Sequence, residues 1–361
     1  MTVYCKTIQI KPQVRFTAFS IFIFLVMTLF GQQQINGQTL PEIRKDISQH
    51  KVFTSIDEAL INPLEVYRLK LNDGDFNEDK LKGAFKKLTN LRELQLQKSF
   101  ITKIPSSIGA LKKLQILDLQ HLEEQNYNLK TLPKSIQNLK EIVFINLIGN
   151  PNLNWNKAFL HLSKMPKLIN VAIMNNNFKS LPDNIKKLTS LEMIWLGKNP
   201  NLDLKDTFLK LSNLKRLSQL GIGGSDYTEL PQEVSSLKSI KNLWLSGNNW
   251  KNLNGLESLE NLNNVSLHNC NLTTLPKAIL ECKSLISLSL VGNKNLNFND
   301  VLDKLPETVK TLNLSGNDIK TLSANSIKNL KLDTLILRKN LISEDEISRY
   351  KKQNSKIKIV H

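Results

Sequence analysis

The sequence predicts an α/β solenoid, in which each short coil adds one strand to a continuous parallel sheet and one helical turn to the opposite side. Three observations predict it. Aliphatic residues return in the same pattern from Leu64 onward, an Asn stands at one fixed place in most copies, and a Leu-Pro step follows it in many. At 361 residues the chain exceeds what a single compact core holds. A repeat array escapes that limit, because each coil packs only on its neighbours.

The repeat is read directly. From Leu191 the chain runs LEMIWLGKN, from Ile240 IKNLWLSGN, from Val309 VKTLNLSGN. Twelve units begin at Leu64, Leu91, Leu114, Ile142, Leu168, Leu191, Leu217, Ile240, Leu262, Leu285, Val309 and Leu332. Steps are mainly 22 to 24 residues, with longer steps reaching the second, fourth, fifth and seventh starts. The L-x-L pair alternates with period two, so it forms a short strand whose Leu side chains face inward. The Asn position holds Asn72, Asn150, Asn176, Asn199, Asn248, Asn293, Asn317 and Asn340, with Ser99, Ser225 and Cys270 as small substitutes. There the chain turns inside the coil and its backbone groups lose strand partners. A buried amide carries donors and an acceptor to satisfy them. The Leu-Pro step at Pro105, Pro133, Pro182, Pro231 and Pro276 ends extended structure and opens a helical turn, and the Ile-x-x-Leu after it sets two apolar groups on one face.

These units resemble the leucine-rich repeat, with its L-x-x-L-x-L-x-x-N core, in the longer L-x-x-L-P-x-x-I-x-x-L form seen in plant-type and exported bacterial proteins. The resemblance covers nearly everything after the first forty residues. It implies a right-handed, curved horseshoe with the parallel sheet on the concave side, short helices and turns on the convex side, helical caps, and partners that bind the concave sheet.

The N-terminus reads as an export signal. Lys6, Lys11 and Arg15 precede the apolar run Phe16 to Phe30, and the polar GQQQINGQ follows. Fifteen helical residues reach about 22 Å, short of a hydrocarbon core of roughly 30 Å, which favours a cleaved signal over an uncleaved membrane anchor. Gly31 and Gly37 are the small residues that place cleavage between 31 and 38. The expected organisation is a signal over 1–37, an N-terminal cap over 38–63, repeats over 64–342 and a C-terminal cap over 343–361. Within the first cap, Ser55 to Glu58 reads as a capping box opening a helix stopped by Pro63. In the second, a polar helix from Ser343 to about Gln353 precedes KIKIV, an edge strand. No catalytic domain is expected beyond it.

The net charge is +17, and removing the signal leaves 46 basic and 32 acidic residues, or +14. A nucleic-acid partner is one reading of that excess. Lys pairs such as Lys86–Lys87, Lys112–Lys113 and Lys186–Lys187 are scattered without interleaved aromatics, which favours a solvated surface. No metal or cofactor is expected, because none of His50, His121, His161, His268 and His361 has ligand spacing and there is no H-E-x-x-H, P-loop or G-x-S-x-G. Gly221-Ile222-Gly223-Gly224 lies on a strand rather than opening a helix. Asp118 and His121 could form an acid–base pair, though two solvated residues is the simpler reading. Cys5 falls with the signal, while Cys270 and Cys282 read as small buried hydrophobes, a disulfide between them being the lesser reading.

The outward strand positions define the candidate site. Early units are polar (Arg68, Lys70, Glu93, Gln95, Gln97, Asp118, Gln120) and late ones small and polar (Ser246, Ser266, His268, Ser289, Asn313, Ser315). Between them stand Phe144, Ile148, Ala172, Met174, Met193, Trp195, Gly221, Gly223 and Trp244. Trp195, Gly221 and Trp244 share a column, so the indoles would stand roughly 10 Å apart over a bare floor as a slot for one inserted group. Such apolar clusters mark interaction sites. The competing reading is that the indoles fold down over the glycines and fill the gap. The expected function is that of an exported, non-enzymatic module binding a protein ligand through Phe144, Ile148, Met174, Met193, Trp195, Gly221, Gly223 and Trp244, with a glycan or cell-envelope ligand as the alternative.

Overall fold

A computed structural model of the chain describes residues 34–35, 38–72, 76–96, 101–121 and 129–361. All of the expected export signal but Gln34 and Ile35, together with Gln97 and the Ser99 ladder position, lies outside these residues. Among them, fourteen strands form one parallel sheet in strict chain order, from Val52–Phe53 to Lys358–Val360. Every one of the twelve units contributes a strand, Arg68–Leu71 being the first and Thr334–Ile336 the last. The register is also one-to-one: Leu220 pairs with Ile194 on one side and Leu243 on the other. The curved solenoid encloses a single aliphatic spine that runs from Ile56 to Ile359.

The convex side carries 3-10 turns in some coils and α-helices in others. Three coils of 23 residues close with 3-10 turns, at Ser106–Ala110, Asp183–Lys187 and Gln232–Ser236. Three longer coils place α-helices there, Glu78–Lys87, Trp155–Leu162 and Leu204–Leu211, while the 28-residue coil closes with the 3-10 turn Lys134–Asn138 and two 23-residue coils carry the short helices Lys277–Leu280 and Ala324–Asn329. In the α-helical coils Asn154 and Asp203 accept the backbone N–H three residues on, at 3.1 and 3.0 Å, and cap the helices.

The Asn positions form a ladder through the stack. Asn199 Oδ1 accepts the N–H of Asn176 at 2.9 Å, and its Nδ2 donates to the carbonyls of Leu196 and, one coil back, Ile173. Ser225 continues the line by accepting from Asn199, and Asn248 accepts from Ser225. At Cys270 the thiol donates to carbonyls of Leu245 and His268, in place of an amide. Asn72 is exposed at its end of the line. The residue just before the ladder position has positive φ in nine successive coils, at Gly149, Asn175, Lys198, Gly224, Gly247, Asn269, Gly292, Gly316 and Lys339. The chain reverses tightly there, which is why Gly and Asn predominate.

The two ends differ from a simple pair of caps. At the C-terminus, helix Glu344–Gln353 starts at Ser343 and buries Ile347 and Tyr350, and Lys358–Val360 pairs beside Thr334–Ile336. At the N-terminus the helix expected after Ser55 is only one turn, Ile56–Ala59, and Val52–Phe53 adds a strand before the first repeat. A further helix, Leu40–Ser48 (α1), turns back onto the concave face.

Candidate concave binding surface

The parallel register aligns the outward residues of successive strands in columns. One column reads Asn146, Ala172, Trp195, Gly221, Trp244, Ser266, Ser289 and Asn313. The column before it carries Glu93, Ile116, Phe144, Asn170, Met193 and Gln219. Of the eight expected residues, Phe144, Met193, Trp195, Gly221 and Trp244 stand in these two columns, and Ile148 and Met174 cluster with them just past the strands.

The open slot is not there. The indoles of Trp195 and Trp244 lie with ring centroids 4.8 Å apart and planes at 34°, instead of standing apart across Gly221. A Cβ on Gly221 would fall 2.3 Å from Cε3 of Trp195, so that ring lies flat on the glycine. Trp195 is 4% exposed and Trp244 5%. The physical reason is simple: two large apolar rings beside a floor with no side chain bury more surface by collapsing into the gap than by facing water. Gly223 also has a packing role, since a Cβ there would meet the Ser246 carbonyl oxygen at 2.5 Å.

Phe144, Ile148, Met174 and Met193 are likewise buried, which corrects the expectation of an exposed patch. They form one cluster with Trp195, Trp244 and Ala172 and with three residues of α1: Leu40, Ile43 and Ile47. These α1 residues were not foreseen as part of the site. Their signal was present in the sequence: Thr39-Leu40-Pro41-Glu42 is a capping box, with Thr39 and Glu42 each accepting the other's backbone N–H, and Leu40, Ile43 and Ile47 share one helical face.

Charges frame the apolar floor at its N-terminal end. The Arg44 guanidinium sits 4.9 Å from the Phe144 ring centroid. Burial pushes its pKa down, while the charges of Glu93 and Asp118 hold it up. Glu93, itself buried, is bonded by Arg68 at 2.7 Å. Arg92 bonds Asp46 of α1 at 2.8 Å, and Arg68 donates to the carbonyl of His50 at 3.3 Å, just past the helix. Further along, the face is polar, with Ser246 bonded to Ser266 at 2.8 Å and His268 to Ser289 at 2.6 Å. At the sheet edge, a cleft of about 400 Å³ is lined by Glu192, Lys215, Arg216, Ser218, Ser239, Lys241 and Asn261, with Arg216 engaged by Glu192.

The remaining expectations resolve individually. Asp118 accepts the N–H of Gln120 at 3.1 Å, and burial pushes His121 down to about 4, so an imidazole base there is neutral and enclosed. Cys270 and Cys282 are both free and buried, their thiols pushed up to about 11 and about 12 by burial. No group of three or more metal-binding side chains occurs among the described residues. No helix among them is long and apolar enough to cross a membrane.

No family model matches the sequence, and no curated protein matches it. Among solved structures, the chain is similar to a leucine-rich-repeat protein of Leptospira interrogans, at 23% identity over 86% of this chain and 100% of that one, with a TM-score of 0.38. It is similar also to an internalin of Listeria monocytogenes, at 19% identity over 77% of this chain and 82% of that one, with a TM-score of 0.44. Both scores fall below 0.5, and the fold assignment stands on the molecule's own geometry. Twelve coils with the L-x-x-L-x-L core, each giving one strand to an open parallel sheet and most joined by a polar ladder, make this chain a leucine-rich-repeat solenoid.

Proposed function

We propose that this is an exported, non-enzymatic binding module that holds a protein ligand on its concave sheet. The single observation that carries the reading is the composition of that face: five neighbouring strands turn Phe144, Ile148, Met174, Met193, Trp195 and Trp244 outward, where the later strands turn out Ser, Thr and Asn. A strand position that faces away from the core is large and apolar where something covers it, and here the face takes the apolar helical surface of Leu40, Ile43 and Ile47 of α1. Arg68, Glu93 and Asp118 at its margin supply the charged rim that orients a polypeptide partner. Export rests on the basic, apolar and polar order of residues 1–37, which lie largely outside the described residues.

A glycan ligand is less favoured, because a sugar needs an open indole face and the two indoles here stack against each other and Gly221. Soluble sugars should therefore leave the tryptophan emission unchanged. The decisive measurement is a cross-linking capture with residues 38–361 from the surface of the source cell, repeated with Met174→Glu. Loss of one specific protein with the Glu variant is the expected result. Equal capture by both proteins would remove the concave sheet as the site.

A further inference from the structure

Helix α1 is a seated occupant of the concave face, and its own chemistry describes what the face accepts. It presents Leu40, Ile43 and Ile47 at positions i, i+3 and i+7 to the apolar cluster. Arg44 lies beside them on that face, over Phe144, with Glu93 and Asp118 as its electrostatic partners. Lys45, Asp46 and Ser48 point outward and are exposed. Two further contacts set the helix direction. Arg92 holds Asp46, and Arg68 reaches the carbonyls of Ser48 and His50, so the C-terminal end of α1 lies at the first repeats.

The attachment is of a replaceable kind. Nine residues are too few for a helix to hold its shape alone in water, so α1 is helical because the sheet holds it. Only Gln49, His50 and Lys51 separate it from Val52–Phe53, where the solenoid proper begins. Its removal leaves the fourteen-stranded ladder and the aliphatic spine uncut, since Leu40, Ile43 and Ile47 belong to the concave cluster and not to that spine.

We propose that the concave groove running from Glu93 to Trp244 recognises an amphipathic helix of a partner protein with aliphatic residues at i, i+3 and i+7 and an arginine at i+4, and that α1 is an autoinhibitory stand-in which this partner displaces. This rests on the concave face being the binding surface. The arginine is the specificity element: its guanidinium sits over the Phe144 ring and is favoured by the charges of Glu93 and Asp118, which would repel an acidic side chain at that place. The three aliphatic groups supply the non-specific area.

The test uses a fluorescent peptide of residues 39–51, TLPEIRKDISQHK, as the probe, with the full chain and two variants. Ile43→Asp in the full chain should release α1 and raise peptide affinity at least about tenfold over the unchanged chain, within the usual range of intramolecular coupling. Circular dichroism and thermal melting report whether the solenoid is intact, and Ile47→Asp serves as a second release variant. A probe with glutamate in place of Arg44 should lose binding to the released chain, and Asp118→Lys in that chain should restore it. Equal affinity for released and unreleased chain, or indifference to the arginine, overturns the proposal. If the captured ligand binds the released and unreleased chains alike, the concave binding role survives and the stand-in does not. If the peptide binds the released chain as described while no ligand is captured, the groove stands and the wider role fails.

Discussion

Single residues account for most of what distinguishes this solenoid from a regular one. Gly221 is the clearest case, because its missing side chain is what lets Trp195 lie down beside Trp244. Gly221→Ala puts a methyl 2.3 Å from the indole and forces both rings up. Overpacking of this size costs about 1–3 kcal/mol, so the urea midpoint should fall and tryptophan emission shift to the red. An unchanged midpoint would mean that the rings are free to move aside. The two tryptophans themselves should now be costly to remove, contrary to an exposed slot that tolerates truncation. Histidines supply a second residue-scale prediction. Burial lowers His121 and His268 from 6.5 to about 4. Between those values the unfolded chain binds a proton that the folded chain refuses. Stability is therefore full above pH 6.5 and declines as pH falls toward 4, by roughly 1.4 kcal/mol per pH unit for each ring that stays neutral. Urea unfolding at pH 7 and pH 5 measures it. A His121→Gln variant whose pH slope equals that of the parent would show that this ring does not contribute.

At the scale of elements, most coils are held by a short strand, a helical turn and one buried ladder residue between them, usually an Asn amide. The amide is the least replaceable of the three. Asn199 accepts from the backbone of Asn176 and donates to carbonyls of its own coil and the coil before, so Asn199→Ala leaves several enclosed backbone groups without partners. Each orphaned group costs about 1–3 kcal/mol, and the variant should lose at least about 2 kcal/mol, with faster amide exchange concentrated at Asn176 and Phe178. An exposed control, Asn213→Ala, should change little. If both variants melt together with the parent, the ladder is not what binds coil to coil.

For the molecule as a whole, stability is a sum over stacked coils, and recognition belongs to the face that those coils align. Although Ile116, Asn170 and Gln219, which share the outward column of Phe144 and Met193, escaped it, the sequence by itself determined the fold class, the inward strand residues, most of the ladder and many of the outward residues. It did so because these depend on spacing within one coil repeated twelve times, and near-neighbour periodicity is written in the order of the residues. Only the tertiary structure decided what the outward residues do once aligned. Trp195 and Trp244 are 49 positions apart, and whether they stand or collapse depends on rotamers chosen against each other and against Gly221. The seating of α1 is similarly out of reach of pattern reading. Its capping box and apolar face announce a helix, yet those features describe a local segment. The surface that takes its apolar face is assembled from strands 70 to 200 residues away, and that surface exists only after the coils have stacked.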